Sequence, residues 1–196
     1  FDRALGHADN AIAHNGRGTA LLELGGVRDA LESFRQAARI DPESATAFAN
    51  IGRAYLRYGR AVEAIAALER ASALEPETGR LQALLAQAME QVGKLDEAMA
   101  AYKKAIALAP ENGEYYHNLG YLYYGKGEVL EAENMYRKAL MRNPRQLQVH
   151  FNLGGLYFDQ EHYQRASAAY KAALAIDPEY ADAWINLAST HLQLGQ

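Results

Sequence analysis

Residues 113–146 read GEYYHNLGYLYYGKGEVLEAENMYRKALMRNPRQ, and two apolar runs inside that stretch decide the fold. Tyr116, Leu119, Gly120 and Tyr123 recur three or four residues apart, and so do Ala132, Tyr136, Ala139 and Leu140. That spacing puts each set on one face of a helix, so each run predicts an amphipathic helix. Between them stands Gly127, the residue type best able to take the left-handed conformation that ends a helix. Pro144 closes the stretch: without a backbone N–H and with φ fixed, it cannot continue the second helix. The segment therefore predicts a hairpin of two helices, helix A and then helix B.

The same hairpin is written five times. All five prolines, Pro42, Pro76, Pro110, Pro144 and Pro178, stand 34 residues apart, the mark of a repeat array. With proline at place 32, the repeats are 11–44, 45–78, 79–112, 113–146 and 147–180, and residues 181–196 form helix A of a sixth. Place 20 is always alanine (Ala30, Ala64, Ala98, Ala132, Ala166), as is place 27 (Ala37, Ala71, Ala105, Ala139, Ala173). Place 24 is large (Phe34, Leu68, Tyr102, Tyr136, Tyr170), a knob for the gap that small neighbours leave. Place 15 is glycine except in the fifth repeat, where Glu161 predicts a strained or differently shaped turn over Asp159 to Tyr163. One hairpin cannot bury its apolar face alone, so stability must come from stacking. Residues 1–10 are expected to end helix B of a preceding repeat, making the chain an excerpt of a longer array.

Composition narrows the function. The 196 residues are 49% hydrophobic, enough for a ribbon-like core. A formal net charge of −4 argues against a nucleic-acid partner, whose binding surfaces are usually basic. No apolar stretch approaches the roughly 20 residues that cross a bilayer, so membrane insertion is not expected. Cysteine is absent, which removes thiol chemistry without fixing the compartment; cytoplasm is favoured over periplasm. The histidines are scattered and form no metal spacing. No cofactor and no catalysis are expected.

The repeated residues resemble the tetratricopeptide repeat (TPR) family, whose pattern runs Trp, Leu-Gly, Tyr, Ala, Phe, Ala, Pro at this spacing. Here it is met by Ile51-Gly52, Leu119-Gly120 and Leu153-Gly154 at places 7 and 8, Tyr55, Tyr123 and Tyr157 at place 11, and Trp184 at place 4 of the last repeat. Arg17 and Leu85-Ala86 depart from it in the first and third repeats. The resemblance implies an all-α, right-handed solenoid resembling bacterial TPR scaffold proteins. It also implies that helix-A places 2, 5, 6, 9, 12 and 13 line a concave groove for an extended peptide or a partner helix.

Place 6 of that stripe carries Asn50, Asn118, Asn152 and Asn186, interrupted by Gly16 and Leu84. Asparagine is a mediocre helix former, and its amide offers donors and an acceptor to a peptide backbone. The row is similar to the asparagine ladder in the TPR arm of O-GlcNAc transferases; bonding within its own hairpin, or solvating the groove, is the other reading. His117, Tyr121, Tyr124, Phe151 and Phe158 add an aromatic wall in the fourth and fifth repeats, either a contact site or packing between A helices. Arg53, Arg57 and Arg80 make a basic patch for a carboxylate, or surface arginines paired with Glu90. The function expected is a protein-interaction scaffold within a multiprotein assembly, its partner a protein or peptide. A substrate-recruiting arm of a larger enzyme such as a protein glycosyltransferase is the alternative, and self-association through the end helices is a third.

Overall fold

The computed structural model describes residues 2–195, with side chains from residue 10 onward; Phe1, Gln196 and the side chains of residues 2–9 lie outside it. Among the described residues there are eleven helices and no strand: α1 (Asp2–Glu23), α2 (Val27–Ile40), α3 (Ala45–Arg57), α4 (Ala61–Leu74), α5 (Gly79–Gln91), α6 (Leu95–Leu108), α7 (Gly113–Gly125), α8 (Val129–Arg142), α9 (Leu147–Asp159), α10 (Tyr163–Ile176) and α11 (Ala181–Gln193). Odd-numbered helices are the A helices and even-numbered ones the B helices of an all-α helical-repeat solenoid. The helices form two compact bodies, Phe1–Leu108 and Ala109–Gln196. One expectation changes at the start of the chain. Instead of a helix-B end followed by a new helix A at residue 11, α1 runs unbroken from Asp2 to Glu23.

Each hairpin is locked by the same knob. Phe34, Leu68, Tyr102, Tyr136 and Tyr170 are at most 2% exposed, and the alanines at places 20 and 27 are fully enclosed. In four of the five hairpins the gap that receives the knob is the missing Cβ at place 8, at Gly18, Gly52, Gly120 and Gly154; the third has Ala86 there. A Cβ on Gly154 would stand 2.4 Å from the Tyr170 ring, and one on Gly52 2.5 Å from Leu68.

Turns inside the hairpins share one geometry. The N–H after the left-handed residue returns to the place-11 carbonyl, as Gly26 to Leu21 (2.8 Å), Arg60 to Tyr55, Lys94 to Met89, Glu128 to Tyr123 and His162 to Tyr157 (all 2.9 Å), the bond that satisfies a helix-end carbonyl. Glu161 joins this set with φ of 60°, against 73–82° for the glycines. The fifth turn thus keeps the common shape, and the strain is carried by a side-chain-bearing residue in the left-handed region. Between hairpins, Asp41, Asn143 and Asp177 accept the N–H two residues on at 2.9–3.1 Å, across the following proline, which pins the chain reversal.

Candidate functional site

In the C-terminal body, α7, α9 and α11 lie side by side, bringing the stripe residues of three repeats onto one face. Contacts link place 5 or 12 of one A helix to place 6 or 13 of the next. Asn152 Nδ2 donates to His117 Nε2 at 3.0 Å, and the Tyr124 hydroxyl donates to Asp159 Oδ2 in a short hydrogen bond. The acceptor role of Nε2 suits a neutral imidazole, and burial holds the His117 pKa below its usual value.

The asparagine row is therefore not uniform. Asn152 is given to the neighbouring helix, not to its own hairpin. Its amide also lies beside the Tyr136 hydroxyl, but that enclosed hydroxyl has no aligned hydrogen-bond partner, because the amide is turned to His117. Asn118 and Asn186 are half-buried, and Asn186 lies against the Tyr170 hydroxyl. Desolvation, more than any neighbour, pushes the Tyr170 phenol up to about 12.

The aromatic wall divides in the same way. Tyr121 is 53% exposed. Phe151 packs edge-on against Tyr180 at 5.1 Å and beside Tyr170 at 5.7 Å, and Phe158 meets Tyr163 of its own hairpin at 5.4 Å. Beside Phe158 opens a pocket of about 270 Å³ lined by Gly155, Phe158, Asp159, Tyr170, Asn186 and Ser189. Gly155, Asp159 and Ser189 occupy places 9, 13 and 9 of the stripe but carry neither a side-chain amide nor a ring, so the sequence signal of amides and aromatics does not single them out.

In the N-terminal body, Asn50 is only 8% exposed and is hydrogen-bonded through both ends of its amide. It donates to Asn15 Oδ1 and accepts from Arg53 Nη1, both at 3.3 Å. Arg57 donates to the Leu22 carbonyl at 2.9 Å and stands 3.9 Å from Glu23, so its carboxylate neighbour is Glu23 and not Glu90. Burial first, then repulsion from Arg80 and Arg57, lowers the Arg53 pKa. The three arginines do lie close enough to repel. Arg53 and Arg57 line a pocket of about 210 Å³ with Leu56, Leu84, Gln87 and Gln91, and Arg80 lines a smaller one beside Asn50. Among the described residues no group of three or more His, Asp and Glu side chains is arranged to hold a metal ion, and no helix is long and apolar enough to cross a membrane.

Family profiles described as Tetratricopeptide repeat match residues 21–88 and 113–146, and one described as TPR repeat matches 91–127 and 155–195. No curated protein matches the chain. Among solved structures, pilF of Pseudomonas aeruginosa has a TM-score of 0.83 at 22% identity over 96% of this chain and 92% of its own. TTC0263, a thermophilic TPR protein of Thermus thermophilus, has a TM-score of 0.74 at 23% identity over 93% and 99%. YrrB, described as a TPR protein with an unusual peptide-binding site, has a TM-score of 0.70 at 22% identity over 89% and 90%. At these identities the likeness is one of fold.

Proposed function

Because the chain belongs to the tetratricopeptide repeat family, we propose that it is a non-catalytic protein-interaction module whose A-helix face holds an extended or helical polypeptide within a multiprotein assembly. One observation carries this reading: a pocket of about 270 Å³, with the half-buried amide of Asn186 in its lining, stays open at α9 and α11, and α7 of the same body adds the exposed Tyr121. That volume falls below the roughly 300–1,000 Å³ of sites that enclose a whole small-molecule ligand; it suits one side chain of a polymer. Asn118 and Asn186 supply amides for the polymer backbone, and Tyr121 an apolar contact. The peptide-binding description of YrrB supports the same direction. A short segment that orders on binding loses much of its contact energy, so a dissociation constant of about micromolar, near −8 kcal/mol, is expected.

The test is affinity capture with the wild type and an Asn186→Ala/Tyr121→Ala variant of equal thermal stability. Partners retained by the wild type and lost by the variant support the reading; identical partner lists refute it. A second reading rests on the N-terminal body, where Arg53, Arg57 and Arg80 favour an acidic segment. Its binding should weaken steeply between low and physiological salt, and a salt-independent affinity for acidic peptides would rule it out. A third rests on α11, whose Trp184, Ile185 and Leu192 are 54%, 62% and 76% exposed. Sedimentation showing a monomer at every concentration would exclude self-association through that helix.

A further inference from the structure

Gly155 has no packing reason to be glycine. It sits in the middle of α9, where glycine costs about 0.5–1 kcal/mol relative to alanine. Its neighbour Gly154 is forced, since a Cβ there would strike Tyr170. A Cβ on Gly155 would meet nothing nearer than the Tyr124 and Tyr170 hydroxyl oxygens at 3.8 Å, ordinary contact distance. What the missing side chain does is leave the pocket between α9, α10 and α11 open at its floor.

The groups left unspent around that floor are acceptors. Tyr124 gives its proton to Asp159 Oδ2, leaving Oδ1 free. Ser189 gives its proton to the Ile185 carbonyl at 3.0 Å, leaving its lone pairs. Asp159 is the last residue of α9, where the helix dipole disfavours a negative charge. Among the described residues no Lys or Arg pairs with it. Lys126 stands 3.4 Å from Glu128, Arg137 and Arg165 are held by Glu133, and Arg142 lies over the Tyr116 ring. Phe158 and Tyr170 supply apolar walls.

We infer that this pocket is a socket for one lysine or arginine side chain of the polypeptide bound on the α7, α9, α11 face, with Asp159 as its counter-ion and Gly155 as its floor. The methylene stem lies along the rings of Phe158 and Tyr170, where an aliphatic stem and a cation are both favoured, and the charged head reaches Asp159 Oδ1 and Ser189 Oγ. This rests on the peptide-binding reading above and specifies the partner's chemistry at one position.

The experiment is selection of a displayed random peptide library on the wild-type protein, followed by affinity measurement of the winning peptides on wild type, Asp159→Asn and Gly155→Leu. Asparagine keeps an acceptor for Tyr124 while removing the charge and turning the Oδ1 position into an N–H donor, and leucine fills the floor; circular dichroism melts check that both fold, with Gly155→Ala as the milder filler if leucine does not. The expected result is a shared Lys or Arg position in the winners. Affinity should fall about tenfold or more in Asp159→Asn, the worth of a hydrogen bond to a charged group, and in Gly155→Leu, while replacing the shared residue by norleucine costs the same in wild type and nothing further in Asp159→Asn. Winners without a basic position, or with undiminished affinity for Asp159→Asn, overturn the socket and leave the peptide-binding reading standing. If no peptide is enriched, the peptide-binding reading and the socket fall together.

Discussion

Two adjacent glycines in α9 show how differently one residue type can be required. Gly154→Ala places a methyl 2.4 Å from the Tyr170 ring, and with the knob already enclosed the cost should be about 1–3 kcal/mol through overpacking. Gly155→Ala meets no such obstacle and should stabilise by about 0.5–1 kcal/mol through helix propensity. Urea unfolding of the two variants checks both signs; equal effects would mean that the knob-and-gap account of the hairpin is wrong. Glu161 is the complementary case, a side chain where the other turns use glycine. Glu161→Gly removes the cost of a left-handed L-residue and should raise stability by about 1 kcal/mol, less the entropy that glycine adds to the unfolded chain. A lower denaturation midpoint would show that the glutamate side chain makes a stabilising contact that outweighs its backbone strain.

At the scale of the helix, burial of tyrosine makes the C-terminal body sensitive to alkali. The Tyr170 phenol titrates near 12 when folded and near 10 when unfolded, so between those values the unfolded chain has released a proton that the folded chain still holds. Stability is thus fully present below about pH 10 and is lost as pH rises towards 12. Tyr124 and Tyr136 are shifted upward as well, and their burial adds to the effect. Thermal midpoints followed from pH 9 to 12 should fall, and Tyr170→Phe should flatten the fall. Helix α11 shows the cost of an uncovered face. Leu187 and Thr190 are buried while Trp184, Ile185 and Leu192 face outward, so amides of 181–193 should exchange with solvent faster than those of α9. Equal protection would point to a cover on α11 in solution.

These elements also mark what the sequence could convey. Prolines, alanines and knobs follow a strict beat because each is dictated by sterics within one hairpin, and hairpin sterics are local enough to read from spacing. The role of place 4 was not legible from spacing. His150 bonds the Pro144 carbonyl at 2.9 Å and Trp184 the Pro178 carbonyl at 2.8 Å, so a ring at this place pins the preceding turn. The stripe facing the proposed groove was legible as a set of places, whereas the state of each side chain was not. Asn50 and Asn152 are drawn to partners 35 residues away on the neighbouring A helix, and such pairing depends on how two repeats stack. The pocket escaped notice because its makers are a missing side chain and a carboxylate, which read as ordinary helix surface.

Across the whole molecule the account stands on where a partner touches. Salt grades the contacts: binding through amides and rings on α7, α9 and α11 should change little with ionic strength, a single ion pair at Asp159 should add a modest dependence, and binding through Arg53, Arg57 and Arg80 should change strongly. The most direct measurement is site-specific photo-cross-linking in the source cell, with a benzophenone amino acid placed at Tyr121 on α7 or at the exposed Asn134 on α8. The account predicts a discrete polypeptide adduct from position 121, mapped by mass spectrometry to a contiguous segment of the partner, and none from position 134. Adducts from position 134 with none from 121 would contradict it and assign recognition to the helix-B face.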